Sequence, residues 1–162
     1  MLFLTNHIRN KEEADSIMKV RTRYFGEVEI GEEKIIHFDK GLFGFEEYKD
    51  YTILYDVEGD ENPFFSWLQS TTEESLAFPV VNPQRVNPEY NPVVEDALLA
   101  SIGEVQEGDL VVFLIATVPA DVKKTSVNEK APLIINAGTC KGVQIVAENA
   151  DYKVKHYLIK ED

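Results

Sequence analysis

The sequence predicts a mainly β, single-domain fold: an antiparallel closed or partly open β-barrel with one or two short helices. Three observations carry that expectation. From Lys19 onward the chain is a succession of short runs rich in branched and aromatic residues, each cut by glycine or a polar turn. Alternation such as Glu27-Val28-Glu29-Ile30 exposes one face and hides the other, as a half-buried strand does. Only one long segment has apolar residues at helical spacing, so many short strands must cover one another. With 162 residues and a 44% hydrophobic composition, the chain can bury a core without disulfides or metals.

Residues 1–17 carry mixed charges and no sustained period, and read as an N-terminal extension, either a short frayed helix from about Asn10 to Ile17 or a leader that precedes an older start at Met18. The domain is expected over 18–158, followed by an acidic tail at 159–162. Strands are expected near 19–25, 27–31, 34–38, 51–56, 64–70, 76–81, 110–118, 132–136, 142–147 and 153–158. The helix is Val93 to Ile102: it follows Pro92, carries acids in its first turn and stops at Gly103. A single helical turn is expected after Gly44 in GFEEY.

The segment Asn62 to Pro83, NPFFSWLQSTTEESLAFPVVNP, reads as a β-hairpin whose connector is Thr71-Thr72-Glu73-Glu74. Period-two alternation places Phe65, Trp67 and Gln69 on one face of its first strand and Phe64, Ser66 and Leu68 on the other. Pro79 lacks an amide hydrogen, so the second strand is an edge or carries a bulge there.

Several classes of function are poorly supported. The formal charge of −13 repels phosphate backbones, which argues against direct nucleic-acid binding. Cys140 is the sole cysteine, which excludes an intrachain disulfide and suits a reducing, cytoplasmic setting. Leu2-Phe3-Leu4 is too short for a secretory core, and LVVFLIATV at 110–118 too short for a membrane span. His7, His37 and His156 lack zinc-ligand spacing, and His37 in IIHFD reads as a strand residue with one polar partner. No G-x-S-x-G, P-loop or dinucleotide fingerprint is present. The paired acids Glu32-Glu33, Glu46-Glu47 and Glu73-Glu74 read as solvated turns. The 56–62 run has no EF-hand order.

The run Gly41-Leu42-Phe43-Gly44-Phe45-Glu46, then Trp67-Leu68-Gln69-Ser70, then Phe78-Pro79-Val80-Val81-Asn82-Pro83 forms a series of motifs. It continues with Asn128, Ala131-Pro132-Leu133-Ile134-Ile135-Asn136 and Lys141-Gly142-Val143-Gln144. In order and spacing, from about Met18 to Val146, this series resembles the flagellar assembly factor family FliW. Phe43 stands where that family usually has proline in a GLPGFE-type turn, and Glu129-Lys130 replace a commonly apolar pair. The resemblance implies a small, β-rich, cytoplasmic protein without catalysis or cofactor. It further implies two partners, newly made flagellin and, after release from it, the RNA-binding translational repressor CsrA, so that flagellin export frees the protein to antagonise CsrA.

An acidic protein reaches a basic, RNA-binding partner by electrostatic steering. The expected CsrA-facing patch is Glu73 and Glu74 together with Asp60 and Glu61, acids that flank the aromatic strand. Phe64, Phe65 and Trp67 are the apolar candidates, with Pro132 and Asn136 shaping the neighbouring edge. A monomer is expected, since the fold can close on itself. The competing classes are a small-ligand- or metal-binding barrel, which needs convergent polar groups inside it, and a hydrolase using Cys140, which needs a base beside the thiol.

Overall fold

The computed structural model describes residues 2–3, 16–56 and 63–159. Its strands in chain order are β1 (Leu2–Phe3), β2 (Ile17–Thr22), β3 (Gly26–Gly31), β4 (Ile36–Phe38), β5 (Asp50–Tyr55) and β6 (Phe65–Ser70). They continue with β7 (Ala77–Val81), β8 (Leu110–Thr117), β9 (Ser126–Val127), β10 (Leu133–Asn136), β11 (Lys141–Gln144) and β12 (His156–Tyr157). Among the described residues, seven of them close a barrel in the order β4-β5-β6-β7-β8-β10-β11, with β11 returning to β4. Six of the seven seams are antiparallel, as expected, and the last, β11 against β4, is parallel. The exception is forced by counting: directions that alternate around a ring match up only when the strand number is even, so a ring of seven needs a parallel pair.

Side chains alternate across the wall. Ile36, Phe38, Tyr51, Ile53, Leu68 and Val80 fill the interior with Phe113, Leu133 and Ile135. Their neighbours point outward and would be wet, yet three coverings hide them. The β2–β3 hairpin lays Val20 and Ile30 over Leu54 of β5. A 3₁₀ helix, Asp96–Ile102, sets Ile102 against Ile134 and Ile145. The 83–90 loop and the C-terminal segment cover Val81 and Leu114 with Tyr90 and Tyr152, whose rings stack at 4.8 Å. This double coverage explains why β10 is buried along its whole length. Beyond the ring, Ala116 and Thr117 of β8 leave β7 to pair with β9, and β12 pairs with β9 in turn.

The helix expected over Val93–Ile102 is shorter and of 3₁₀ type. Tertiary hydrogen bonds claim its first turn: the Val93 amide donates to Asn149 Oδ1 (2.7 Å), and the Glu148 amide donates to the Val93 carbonyl (2.8 Å). The residues that remain are too few to offset α-helix nucleation. GFEEY likewise forms successive turns, with Phe45 N–H bonded to Leu42 O and Tyr48 N–H to Phe45 O, instead of a helical turn. The helix expected from Asn10 lies outside the described residues except for its last positions, where Ile17 opens β2.

The parallel seam meets at Gly142, opposite Phe38, and a Cβ on Gly142 would lie 2.6 Å from the Phe38 ring. That ring is already fixed edge-to-face on Tyr51, with centroids 5.6 Å apart. Gly142→Ala is therefore expected to destabilise the fold by about 1–3 kcal/mol, read as a lower midpoint in urea unfolding.

The Tyr51 hydroxyl is buried without a hydrogen-bond partner among the described residues. Burial, reinforced by Tyr48, pushes the phenol up to about 12. The folded state keeps a proton that the unfolded chain releases from about pH 10. Stability from this group is thus full below pH 10 and is lost as pH rises towards 12. Burial raises Tyr90 as well, with Tyr152 and Glu129 adding to it. Tyr51→Phe should gain about 1 kcal/mol at neutral pH and flatten part of the alkaline loss, both measurable by thermal melts from pH 7 to about pH 11.

Candidate functional site

The outward face of β6 presents Phe65, Trp67 and Gln69, opposite Val81, Pro79 and Ala77 of β7. The β2–β3 turn bends over this face because Thr22 Oγ1 accepts from the Phe25 amide and Gly26 takes a positive φ of 67°. Its Tyr24 ring lies 4.3 Å from Trp67, centroid to centroid, and the Arg23 guanidinium sits 5.2 Å above Tyr24. Tyr24 is 49% exposed, so the pair offers a partly wet aromatic surface.

Gln69 fixes that surface in place. Buried and uncharged, it accepts the Arg23 amide through Oε1 at 2.9 Å. Its Nε2 lies within 3.0–3.4 Å of the carbonyls of Ser70, Glu73, Glu74 and Leu76. Two N–H groups thus serve a ring of four acceptors, which draws the 71–76 connector against the hairpin tip. Ser70 Oγ accepts from the amides of Thr72 and Glu73 at 3.2 and 3.0 Å. Arg23 Nη1 donates to the Ser75 carbonyl at 3.3 Å. Glu73 spends one carboxylate oxygen on Ser75 Oγ (2.8 Å), whereas Glu74 is exposed. Gln69, two residues after Trp67 on the same face, thus holds the backbone of Glu73 and Glu74 at this end of β6, with Tyr24 on Trp67 as a member that the sequence did not reveal.

The other expected residues lie elsewhere. Phe64 precedes β6 and packs edge-on against Phe65 (4.8 Å, 80°) in the cluster on the barrel's outside, so it does not share the inward face of Leu68. Arg85 lies 5.3 Å over the Phe64 ring. This pair is at the far end of β6 from Glu73 and Glu74, about 17 Å for six residues at strand rise. Asp60 and Glu61 lie outside the described residues, on the Phe64 side in sequence. Of the four acids expected to form one patch, the structure thus describes Glu73 and Glu74 alone. Pro132 is buried, and its carbonyl accepts the Ile145 amide at 3.3 Å. Asn136 is fully buried: Nδ2 donates to the carbonyls of Ile102 and Glu104, and Oδ1 accepts from the Gly138 amide. Both act by holding loops, without surface of their own to offer.

The sequence departures have local compensation. Phe43, half exposed, donates its amide to Gln144 Oε1 at 2.8 Å, a bond that proline cannot make. Glu129 is buried but pairs with His156 Nδ1 at 3.1 Å, and Lys130 Nζ donates to the Asn149 carbonyl at 2.7 Å. The Cys140 thiol donates to the Glu33 carbonyl at 3.1 Å. His37 meets two carboxylates, not one partner: Asp50 at 2.7 Å and Asp39 at 3.2 Å. No cluster of three or more His, Cys, Asp or Glu side chains suited to a metal occurs among the described residues.

A family model described as FliW protein matches residues 19–158. The flagellar assembly factor FliW of Lachnoclostridium phytofermentans is 50% identical over 139 residues, which is 86% of this chain and 89% of that one. That of Lachnospira eligens is 47% identical over 86% of this chain and 93% of its own. A crystal structure of the flagellar assembly factor FliW superposes with a TM-score of 0.79 at 32% identity, covering 90% of this chain and 99% of that one.

Replacing Gln69 by leucine, of similar volume, strands the Arg23 amide and the connector carbonyls. The expected cost is about 1–3 kcal/mol. Hydrogen exchange should localise the change: amides of 71–76 and of the β2–β3 turn should exchange faster, while β10 amides keep their protection relative to the new global stability.

Proposed function

The chain belongs to the FliW family, and from that membership we propose that it is a non-enzymatic, cytoplasmic flagellar assembly factor that binds flagellin and, when free of it, the repressor CsrA. Membership carries the reading, and the surface chemistry supports it. The barrel interior is filled by large apolar side chains, which favours work done on the outside over ligand binding within. On that outside, Tyr24 and Trp67 form an aromatic patch beside Glu73 and Glu74. A partner that binds RNA needs a basic surface, and acids around an aromatic anchor give such a surface both long-range attraction and a contact point. Phe64 and Phe65, at the other end of β6, supply an apolar site for the amphipathic ends of unassembled flagellin.

Charge reversal of the connector tests the reading without touching the core, since Glu74 is exposed and the Glu73 carboxylate accepts from Ser75 of its own turn. In titration calorimetry at low salt, the Glu73→Lys, Glu74→Lys variant should bind CsrA about tenfold or more weakly than the parent. The difference should shrink as salt rises. Flagellin should suppress CsrA binding by the parent. Equal CsrA affinity of variant and parent would remove these acids from the interface, and no binding of either protein by the parent would defeat the partner-switch reading.

A further inference from the structure

The molecule carries 29 acids against 16 bases, yet its C-terminal segment builds a surface of the opposite sign. A groove of about 620 Å³ runs along β12. One wall carries Lys123 and Lys124, from the 3₁₀ turn Val122–Lys124 between β8 and β9. The other carries Lys153 and Lys155, followed by Tyr157 and Ile159. All four line the groove, although only His156–Tyr157 of this stretch is strand and the chain bends at Val154 and again after Tyr157. Of the residues between them, Val154 is exposed, His156 also lines the groove while its Nδ1 pairs with Glu129, and Leu158 packs on the outer cluster of the barrel.

Three further features fit together. The four lysines are exposed, and none is ion-paired to a carboxylate among the described residues. Of the nearby acids, Glu129 is engaged by His156, and one Asp121 oxygen accepts the Lys123 backbone amide. Tyr157 and Ile159, which line the groove, are each half exposed. Finally, β12 ends the sheet: its only strand partner is β9, so its other edge is open among the described residues. The Leu158 amide donates to the Thr125 carbonyl, and ladder alternation then turns the backbone groups of Tyr157 away from β9, towards that open edge.

We propose that this groove binds an extended, acidic peptide segment of a protein partner, added as a strand along the free edge of β12, with its carboxylates on the four lysines and an apolar side chain against Tyr157 and Ile159. Backbone pairing gives such a complex its register, while alternate side chains give it selectivity. A phosphate polymer would satisfy the lysines but would leave the apolar end and the strand edge unused, and it would meet repulsion from the rest of an acidic molecule. The surface is opposite in sign to the connector acids, so it suits a different partner or a different segment from the one they attract, and its failure would leave the CsrA reading intact.

The test uses the full chain and a fluorescein-labelled decapeptide that carries glutamates and then valines at every second position, with serine between them, followed by anisotropy at low and moderate salt. The parent should bind it, and both Lys153→Glu, Lys155→Glu and Lys123→Glu, Lys124→Glu should weaken it by about tenfold or more. These are exposed positions, and circular dichroism melts confirm that the variants fold. A glutamate–serine peptide should bind more weakly than the glutamate–valine one, and inserting proline at the central position of the latter should weaken it again by removing a strand donor. No binding at low salt, unchanged affinity in both lysine variants, or tighter binding of inorganic polyphosphate or of anionic phosphatidylserine vesicles than of the peptide would each overturn the proposal.

Discussion

Everything on the outside of this barrel hangs from one seam. β4 and β11 are about a hundred positions apart in the chain, and their parallel pairing is what turns a curved sheet into a ring. The pairing requires Phe38 to lie across the facing strand, and glycine at 142 is what leaves space for it. The same ring anchors Tyr51, the largest fully buried side chain, and through it the interior layer. Once closed, the ring offers a curved outer wall on which the hairpin, the 3₁₀ helix and the C-terminal segment each bury a small apolar patch. None of these coverings is long enough to be stable alone, since isolated hairpins and single helical turns are marginal in water. Their positions are set by the wall.

Two buried amides do the joining. Gln69 ties the β2–β3 turn to the 71–76 connector on one side of the ring, and Asn136 ties the end of the 3₁₀ helix to the loop after β10 on another. Each saturates a donor pair and an acceptor that would otherwise cost a desolvation penalty. A side-chain amide suits this position because it offers donors and an acceptor in one plane without charge. The aromatic and acidic groups beside Gln69 thus owe their mutual placement to a residue that touches no partner. Such a surface is pre-organised, which limits the entropy lost when a second protein settles on it.

The barrel was legible in the sequence because alternation and turn residues are local signals: the 65–81 hairpin, its connector and the pairing of Phe65 and Trp67 on one face stand as read. What was lost is non-local. Nothing near Val93 announces that Asn149 and Glu148 will claim its backbone and cut the helix short. Phe64 follows the parity of a strand on paper, but the strand starts one residue later, and the ring is free to pack beside Phe65. Tyr24 reaches Trp67 only through a turn folded across two other strands. Asn136 is buried, bonded to Ile102, Glu104 and Gly138, which sequence spacing alone does not reveal.

Net charge is likewise a poor guide to local field. A total of −13 describes the approach of a distant partner, but at contact only charges within a Debye length, about 8 Å at physiological salt, count in full. From β6 to β12 there are four strand steps in the order β6-β7-β8-β9-β12, about 19 Å along the sheet at ordinary strand spacing. The acids of the 71–76 connector and the lysines beside β12 are therefore screened from one another and act as separate fields of opposite sign. The alternation Lys153, Lys155, Tyr157, Ile159 was present in the sequence as the pattern of a strand. Its chemical meaning depends on the sheet ending there, because the same lysines beside a paired strand would be ordinary solvated charges, and beside an open edge they bias which backbone can pair with it.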